Sequence, residues 1–201
     1  TVVENAVDLN RIIISKKINR SKLVFGYVGT LSPIEGLDFL IKAFNNLNLS
    51  NKLLIFGDGI ELENLKKLSE SNNNIIFKGK FSNSEIIKAY NQIDVIVNPR
   101  TSNYLTNSIT PLKTLEAMAY KKIVLASDVG GMKELIKDGN NGILFSSDDL
   151  SDLQKALLKI LEKDDLNYMI ENAYNYIDKE RNWFKKANLY KKLYYSLNNG
   201  K

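Results

Sequence analysis

The chain has 201 residues and a mass of 22.8 kDa, enough for one generous domain that buries its own core. Its composition, 44% hydrophobic and 25% charged, is that of an ordinary globular protein. Cysteine and histidine are both absent, which excludes disulfides, zinc sites built on Cys or His, thiol nucleophiles and a Ser-His-Asp triad. Chemistry therefore falls to carboxylates, amines, hydroxyls, backbone dipoles or a bound cofactor. The net charge of +5 is unevenly spread: residues 179–201 hold seven Lys/Arg and a single acidic residue, and the rest of the chain is slightly negative. No apolar run approaches the roughly 20 residues of a membrane span. The opening residues TVVENAVDLN lack the basic and apolar segments of a signal peptide, so a cytoplasmic setting is expected.

Short apolar runs at 23–28, 53–56, 75–77, 94–97, 123–126 and 142–145, each bounded by Gly, Asn, Asp or Ser, fit strands buried on both faces of a parallel sheet. Amphipathic stretches separate them. Leu37, Leu40, Ile41 and Phe44 share one helical face, as do Leu62, Leu65 and Leu68. Residues 84–92 and 111–120 supply two more helices, the latter with Pro111 at its start, where the missing donor costs nothing. On that helix Leu112, Leu115, Met118 and Ala119 are expected to face inward. After residue 145 the strands stop, and 148–161, 166–176 and 183–197 read as three consecutive helices. The pattern predicts an α/β fold, a Rossmann-like parallel six-stranded sheet with helices on both faces and extra helices at the C-terminus.

Three segments could carry chemistry. Gly29 directly follows the first strand, where a glycine allows a tight turn and close approach of a ligand, and the next helix start offers amide donors to an anion such as a diphosphate. The bland alternative is a plain turn. Gly57-Asp58-Gly59 and Lys78-Gly79-Lys80 follow the second and third strands, but neither is a G-x-G-x-x-G fingerprint. Asp58 reads as a cap for a helix beginning near Glu61. The loop carrying Lys80 sits at a strand's carboxyl end, where its backbone could meet a planar base. The strongest segment is Ser108-Ile-Thr-Pro-Leu-Lys-Thr-Leu-Glu-Ala-Met-Ala119. It places Lys113 in the first turn of a helix, a poor site for a cation unless an anion binds there. Glu116 either pairs with Lys113 or accepts bonds from sugar hydroxyls.

Together, Glu116-Ala-Met-Ala and the run from Ile123-Val-Leu-Ala-Ser-Asp-Val-Gly-Gly to Gly-Ile-Leu-Phe145 resemble the signature of the family 4 retaining glycosyltransferases. Residues 1–8, 25–36, 54–59 and 94–99 match further landmarks of that family in order, so the resemblance covers essentially the whole chain. It implies the GT-B fold, two Rossmann-like domains of which this chain supplies the C-terminal, donor-binding one. Residues 1–20 would be the interdomain linker segment, 21–178 the donor-binding domain and 179–201 a basic amphipathic helix. The implied activity is hexosyl transfer from a nucleotide-diphosphate sugar to a glycan or lipid-linked acceptor, with no metal or other cofactor expected. The implied donor-binding residues are Gly29, Thr30, Lys80, Arg100, Thr110, Leu112, Lys113 and Glu116, with no catalytic residue assigned in this half.

Departures from the family pattern are specific. Ser108 stands where the first of two usual glutamates would be, and Thr30 and Glu35 replace the Arg and Lys that usually contact the diphosphate. Arg100 ending the fourth strand and the variant Thr-Pro-Leu-Lys-x-Leu-Glu resemble a bacterial subgroup of surface-polysaccharide synthesis, so Arg100 and Lys113 are the expected substitutes for the missing cations. A separate acceptor-binding domain is the implied partner. The alternatives are a non-catalytic nucleotide-sugar binding module, or a half-enzyme that needs a separate acceptor subunit. A nucleic-acid role is disfavoured, because the basic tail is short and no binding motif accompanies it. Trp183, Ala187, Tyr190, Tyr194 and Leu197 share one face of the last helix, expected to pack on the body or on the acceptor domain. A peripheral membrane contact through its lysines is the alternative.

Overall fold

A computed structural model describes residues 2–14, 18, 22–82, 85–163 and 165–198. Ser84, the expected first residue of one helix, lies outside these, as do parts of the expected linker at residues 1, 15–17, 19 and 20. Six strands form a single sheet: β1 (Phe25–Val28), β2 (Leu53–Phe56), β3 (Ile75–Gly79), β4 (Val95–Asn98), β5 (Ile123–Ser127) and β6 (Ile143–Phe145). All pair in parallel, in the order β3-β2-β1-β4-β5-β6. Every residue of β1, β2, β4 and β5 is buried. That is why they are unbroken apolar runs rather than alternating ones.

Alternate strand residues face two cores. Phe25, Leu53, Ile55, Val95 and Leu125 meet α1 (Leu37–Leu47), α2 (Leu62–Ser69) and α7 (Leu150–Glu162) on one side. Val28, Leu54, Ile96 and Val124 meet α3 (Ile86–Gln92), α5 (Leu112–Ala119), α6 (Gly130–Lys133) and α8 (Asn167–Glu180) on the other. The expected fold class is therefore observed. The strand order reverses direction between β1 and β4, and their pairing is confined to Phe25↔Val95 and Gly26↔Ile96. Beyond those pairs the carboxyl ends of the two strands bound a crevice, the place where open α/β sheets bind ligands.

Several details differ from expectation. The short helices α4 (Tyr104–Ser108) and α6 carry no amphipathic repeat long enough to read; α4 is held by a capping box between Asn103 and Thr106. Asp58 does not cap α2: its carboxylate accepts the amide of Gly59 at 2.8 Å, and the helix starts on Glu61 without a side-chain cap. Leu112 does not face inward. It is the first residue of α5 and is 50% exposed, whereas Leu115, Met118 and Ala119 are buried as expected.

The last helix, α9 (Trp183–Asn198), contains no buried residue. Trp183 borders a cleft of the body, but Tyr190, Tyr194 and Leu197 further along the aromatic stripe are exposed, so the stripe as a whole does not pack on the body. Only the start of α9 is tied down, through a bridge from Asn182 to Val7 and a Lys186–Glu4 ion pair at 2.7 Å. Among the described residues, no helix is long and apolar enough to cross a membrane.

Candidate functional site

The crevice between β1 and β4 holds a compact group of charges. Gly29, with φ of 156°, directly follows β1, and a Cβ there would lie 2.3 Å from the Lys113 ammonium. The absent side chain is what lets Lys113, in the first turn of α5, lay its Nζ against the end of β1. There the ammonium donates to the Tyr27 hydroxyl at 2.8 Å and pairs with Glu35 at 3.2 Å. The Tyr27 hydroxyl donates in turn to the Thr30 carbonyl at 2.8 Å. Arg100, two residues past β4, gives Glu35 two bonds, Nη2 to Oε1 at 3.1 Å and Nε to Oε2 at 3.4 Å.

Glu35 is only 4% exposed. Burial would raise its carboxyl pKa, but Lys113 and Arg100 outweigh that and hold it below the ordinary carboxylate range. Burial pulls the Lys113 pKa down, against the opposing pull of Glu35. The expected cations thus converge, Lys113 against Gly29 and both on Glu35, a carboxylate that the sequence marks only as a lost cation.

Glu116 lies one helical turn beyond Lys113 and makes no ion pair with it among the described residues. Its Oε2 accepts from the buried Tyr90 hydroxyl at 3.1 Å. Burial raises the Glu116 pKa, partly offset by the Tyr90 bond and Lys113. Glu116 and the exposed Leu112 line a cleft of about 700 Å³ together with Asp8, Arg11, Ile86 and Trp183. A half-buried carboxylate on an open cleft can accept bonds from hydroxyl groups.

Thr110 and Lys80 stand apart from this cluster, and Thr30 joins it only through its backbone. Thr110 donates its hydroxyl to Glu134, which also pairs with the buried Arg181 at 3.1 Å. The Thr30 side chain is exposed, and its carbonyl is what the cluster uses. Lys80 is exposed beside a separate cleft of about 460 Å³ with Asp58, Gly59 and Ile60. Sequence reasoning missed Tyr27, Tyr90, Glu134 and Arg181. The one available signal was a complementary exchange, an acid at 35 where the resembled family carries a cation and an arginine at 100.

A model of the family described as "Glycosyl transferases group 1" matches residues 10–176. The chain belongs to the group 1 glycosyltransferases. An uncharacterized glycosyltransferase of Methanocaldococcus jannaschii is 32% identical over 187 residues, which cover 90% of this chain and 47% of that protein. The Escherichia coli enzyme UDP-Gal:alpha-D-GlcNAc-diphosphoundecaprenol alpha-1,3-galactosyltransferase is 27% identical, covering 96% of this chain and 53% of its own length. Of solved structures, Anabaena HepE in complex with UDP-glucose superposes with a TM-score of 0.83 at 19% identity, covering 98% of this chain and 57% of that one. That likeness shows a shared fold. The chain spans about half the length of the curated relatives it matches.

Proposed function

We propose that this chain is the donor-binding part of a retaining glycosyltransferase that moves a sugar from a nucleoside-diphosphate sugar to a glycan or lipid-linked acceptor. The observation that carries the proposal is the convergence of Arg100 and Lys113 on Glu35 past the carboxyl ends of β1 and β4, with Lys113 laid against Gly29 and Glu116 one helical turn beyond it on a cleft. When the bond between sugar and diphosphate breaks, negative charge grows on the departing phosphate. Cations already fixed in a part-buried crevice stabilise that charge without reorganising. The Glu116 carboxylate would accept hydroxyl hydrogens of the nucleoside and so orient the donor. The donor named for the E. coli relative and the UDP-glucose bound to Anabaena HepE support a nucleotide sugar. The diphosphoundecaprenol in the E. coli relative's name supports a lipid-linked acceptor of the kind used in polysaccharide synthesis.

A second reading, a nucleotide-sugar binding module without its own transferase activity, is favoured by one observation. Ser108, where the resembled family carries a carboxylate, is exposed and donates its hydroxyl to the Tyr104 carbonyl at 2.7 Å, so no acid replaces the missing one at that position.

Titration calorimetry with UDP, GDP, ADP and TDP and their nucleosides tests the site. Arg100→Ala and Lys113→Ala should each weaken the preferred diphosphate about ten-fold or more while leaving its nucleoside nearly unchanged, since charge-assisted bonds are worth about 1.5–3 kcal/mol. Equal losses for both ligands would return the two cations to a purely structural role.

A further inference from the structure

Glu35 is delivered to the crevice by rigid backbone. It ends a 3-10 turn, Pro33–Glu35, closed by Gly36 with φ of 64°. A Cβ on Gly36 would lie 2.0 Å from the Pro99 carbonyl oxygen, and the Thr101 amide donates to the Ile34 carbonyl at 3.1 Å. The β1–α1 turn is therefore pressed onto the chain leaving β4, on both sides of Arg100. The carboxylate spans Arg100 and Lys113 with bonds of 3.1–3.4 Å. The cluster is two cations and one anion, with a net charge of +1.

We propose that Glu35 is the residue that sets the charge selectivity of the crevice, by neutralising one of the two cations that face the phosphates of a nucleoside diphosphate. This rests on the reading of the crevice as the diphosphate site and deepens it. A Coulomb attraction grows with the product of the charges, and in a part-buried site it is only weakly screened. A crevice of net charge +1 separates a diphosphate from a monophosphate less than one of +2. Glu35 thereby tempers the grip on the nucleoside diphosphate, the product that must leave after transfer, while its bonds keep both cations in place.

The test measures the affinities of UDP, UMP and uridine, and of GDP, GMP and guanosine, by titration calorimetry at constant salt. Glu35→Gln keeps the shape and removes the charge. It should raise diphosphate affinity about ten-fold, raise monophosphate affinity less and leave the nucleoside unchanged, so that the diphosphate-to-monophosphate ratio widens. The double variant Glu35→Gln with Arg100→Gln restores a net charge of +1 and should bring the ratio back to that of the unmodified chain. A merely structural Glu35 would not give this return.

Should Glu35→Gln alone fail to melt cooperatively, Arg100→Gln at net zero and the double variant at +1 pose the same question, and the ratio must be larger in the double variant. A ratio unchanged or narrowed by Glu35→Gln, or one that stays widened in the double variant, overturns the proposal for Glu35 alone. Diphosphate binding indifferent to Lys113→Ala and Arg100→Ala overturns the reading of the crevice, and this proposal with it.

Discussion

Glu116 shows how one side chain can be prepared for a ligand by its neighbours. The Tyr90 hydroxyl fixes its rotamer from below, and Tyr90 is itself buried and stacked on Tyr120 with ring centroids 4.5 Å apart. Burial raises the Glu116 pKa, so the folded chain favours its protonated form more than the unfolded chain does. The sign for stability follows from linkage. The contribution of this group is fully present below the ordinary carboxylate value and is lost as pH rises through the raised one. The sign for binding is opposite, because only the ionised carboxylate is a pure acceptor. Nucleoside affinity should therefore fall as pH drops through a range above that of an ordinary glutamate, and Glu116→Gln should flatten that profile. Replacement by Gln keeps an acceptor for Tyr90, so stability should change by less than about 1 kcal/mol, while nucleoside affinity at neutral pH drops about ten-fold. Calorimetry across pH on both proteins checks this; parallel profiles would mean that Glu116 serves α5 and no ligand.

Elements differ in how much of them the sequence makes visible. The strands are legible because burial on both faces forces them to be apolar, and α5 is legible because Pro111 opens it and Leu115 and Met118 repeat at helical spacing. α4 and α6, of five and four residues, are not, since helices that short have no periodicity and exist only through caps and neighbours. The same limit hid the role of Glu35: its partner Arg100 lies 65 residues away, and only the contact between two loops makes them a pair. α9 was visible as a helix, but its partner was not. Its exposed Trp183, Tyr190, Tyr194 and Leu197 pose a choice between a protein surface and a membrane. On grounds of charge we expect a protein surface rather than a membrane. Of the four lysines in α9, Lys185 pairs with Asp178 at 3.3 Å and Lys186 with Glu4, which leaves Lys191 and Lys192 on this helix and an attraction to anionic lipid of about 2 kcal/mol. That is too little for stable anchoring without a second signal. Sedimentation with anionic vesicles at physiological salt should leave the protein in the supernatant. Salt-sensitive pelleting that Lys191→Gln with Lys192→Gln abolishes would reverse the choice.

At the scale of the whole molecule, the features that bind and those that would transfer are separable. The crevice, the cations and Glu116 all belong to one sheet and its two helix layers, whose cores close without help from another chain. This unit should fold and bind by itself, and a nucleoside diphosphate at about 100 times its dissociation constant should add roughly 2.7 kcal/mol to its stability in a thermal shift. Transfer asks for more. An acceptor hydroxyl has to be held against the anomeric carbon of the donor, and such positioning supplies roughly 7–11 kcal/mol of barrier reduction. The chain spans about half the length of its curated relatives, and the proposed reading gives the acceptor to the part of such an enzyme that this chain does not match. We therefore expect the 201-residue chain to bind nucleotide sugar and, at most, hydrolyse it slowly to sugar and nucleoside diphosphate, with water in place of the acceptor. Incubation with a radiolabelled UDP-sugar and a lipid-linked acceptor, followed by extraction of the lipid, reads out the two products separately. Label in the lipid fraction at rates of ordinary enzymes, with no other protein added, would show that the acceptor is held within this sheet and its helices, and would refute the division of labour argued here.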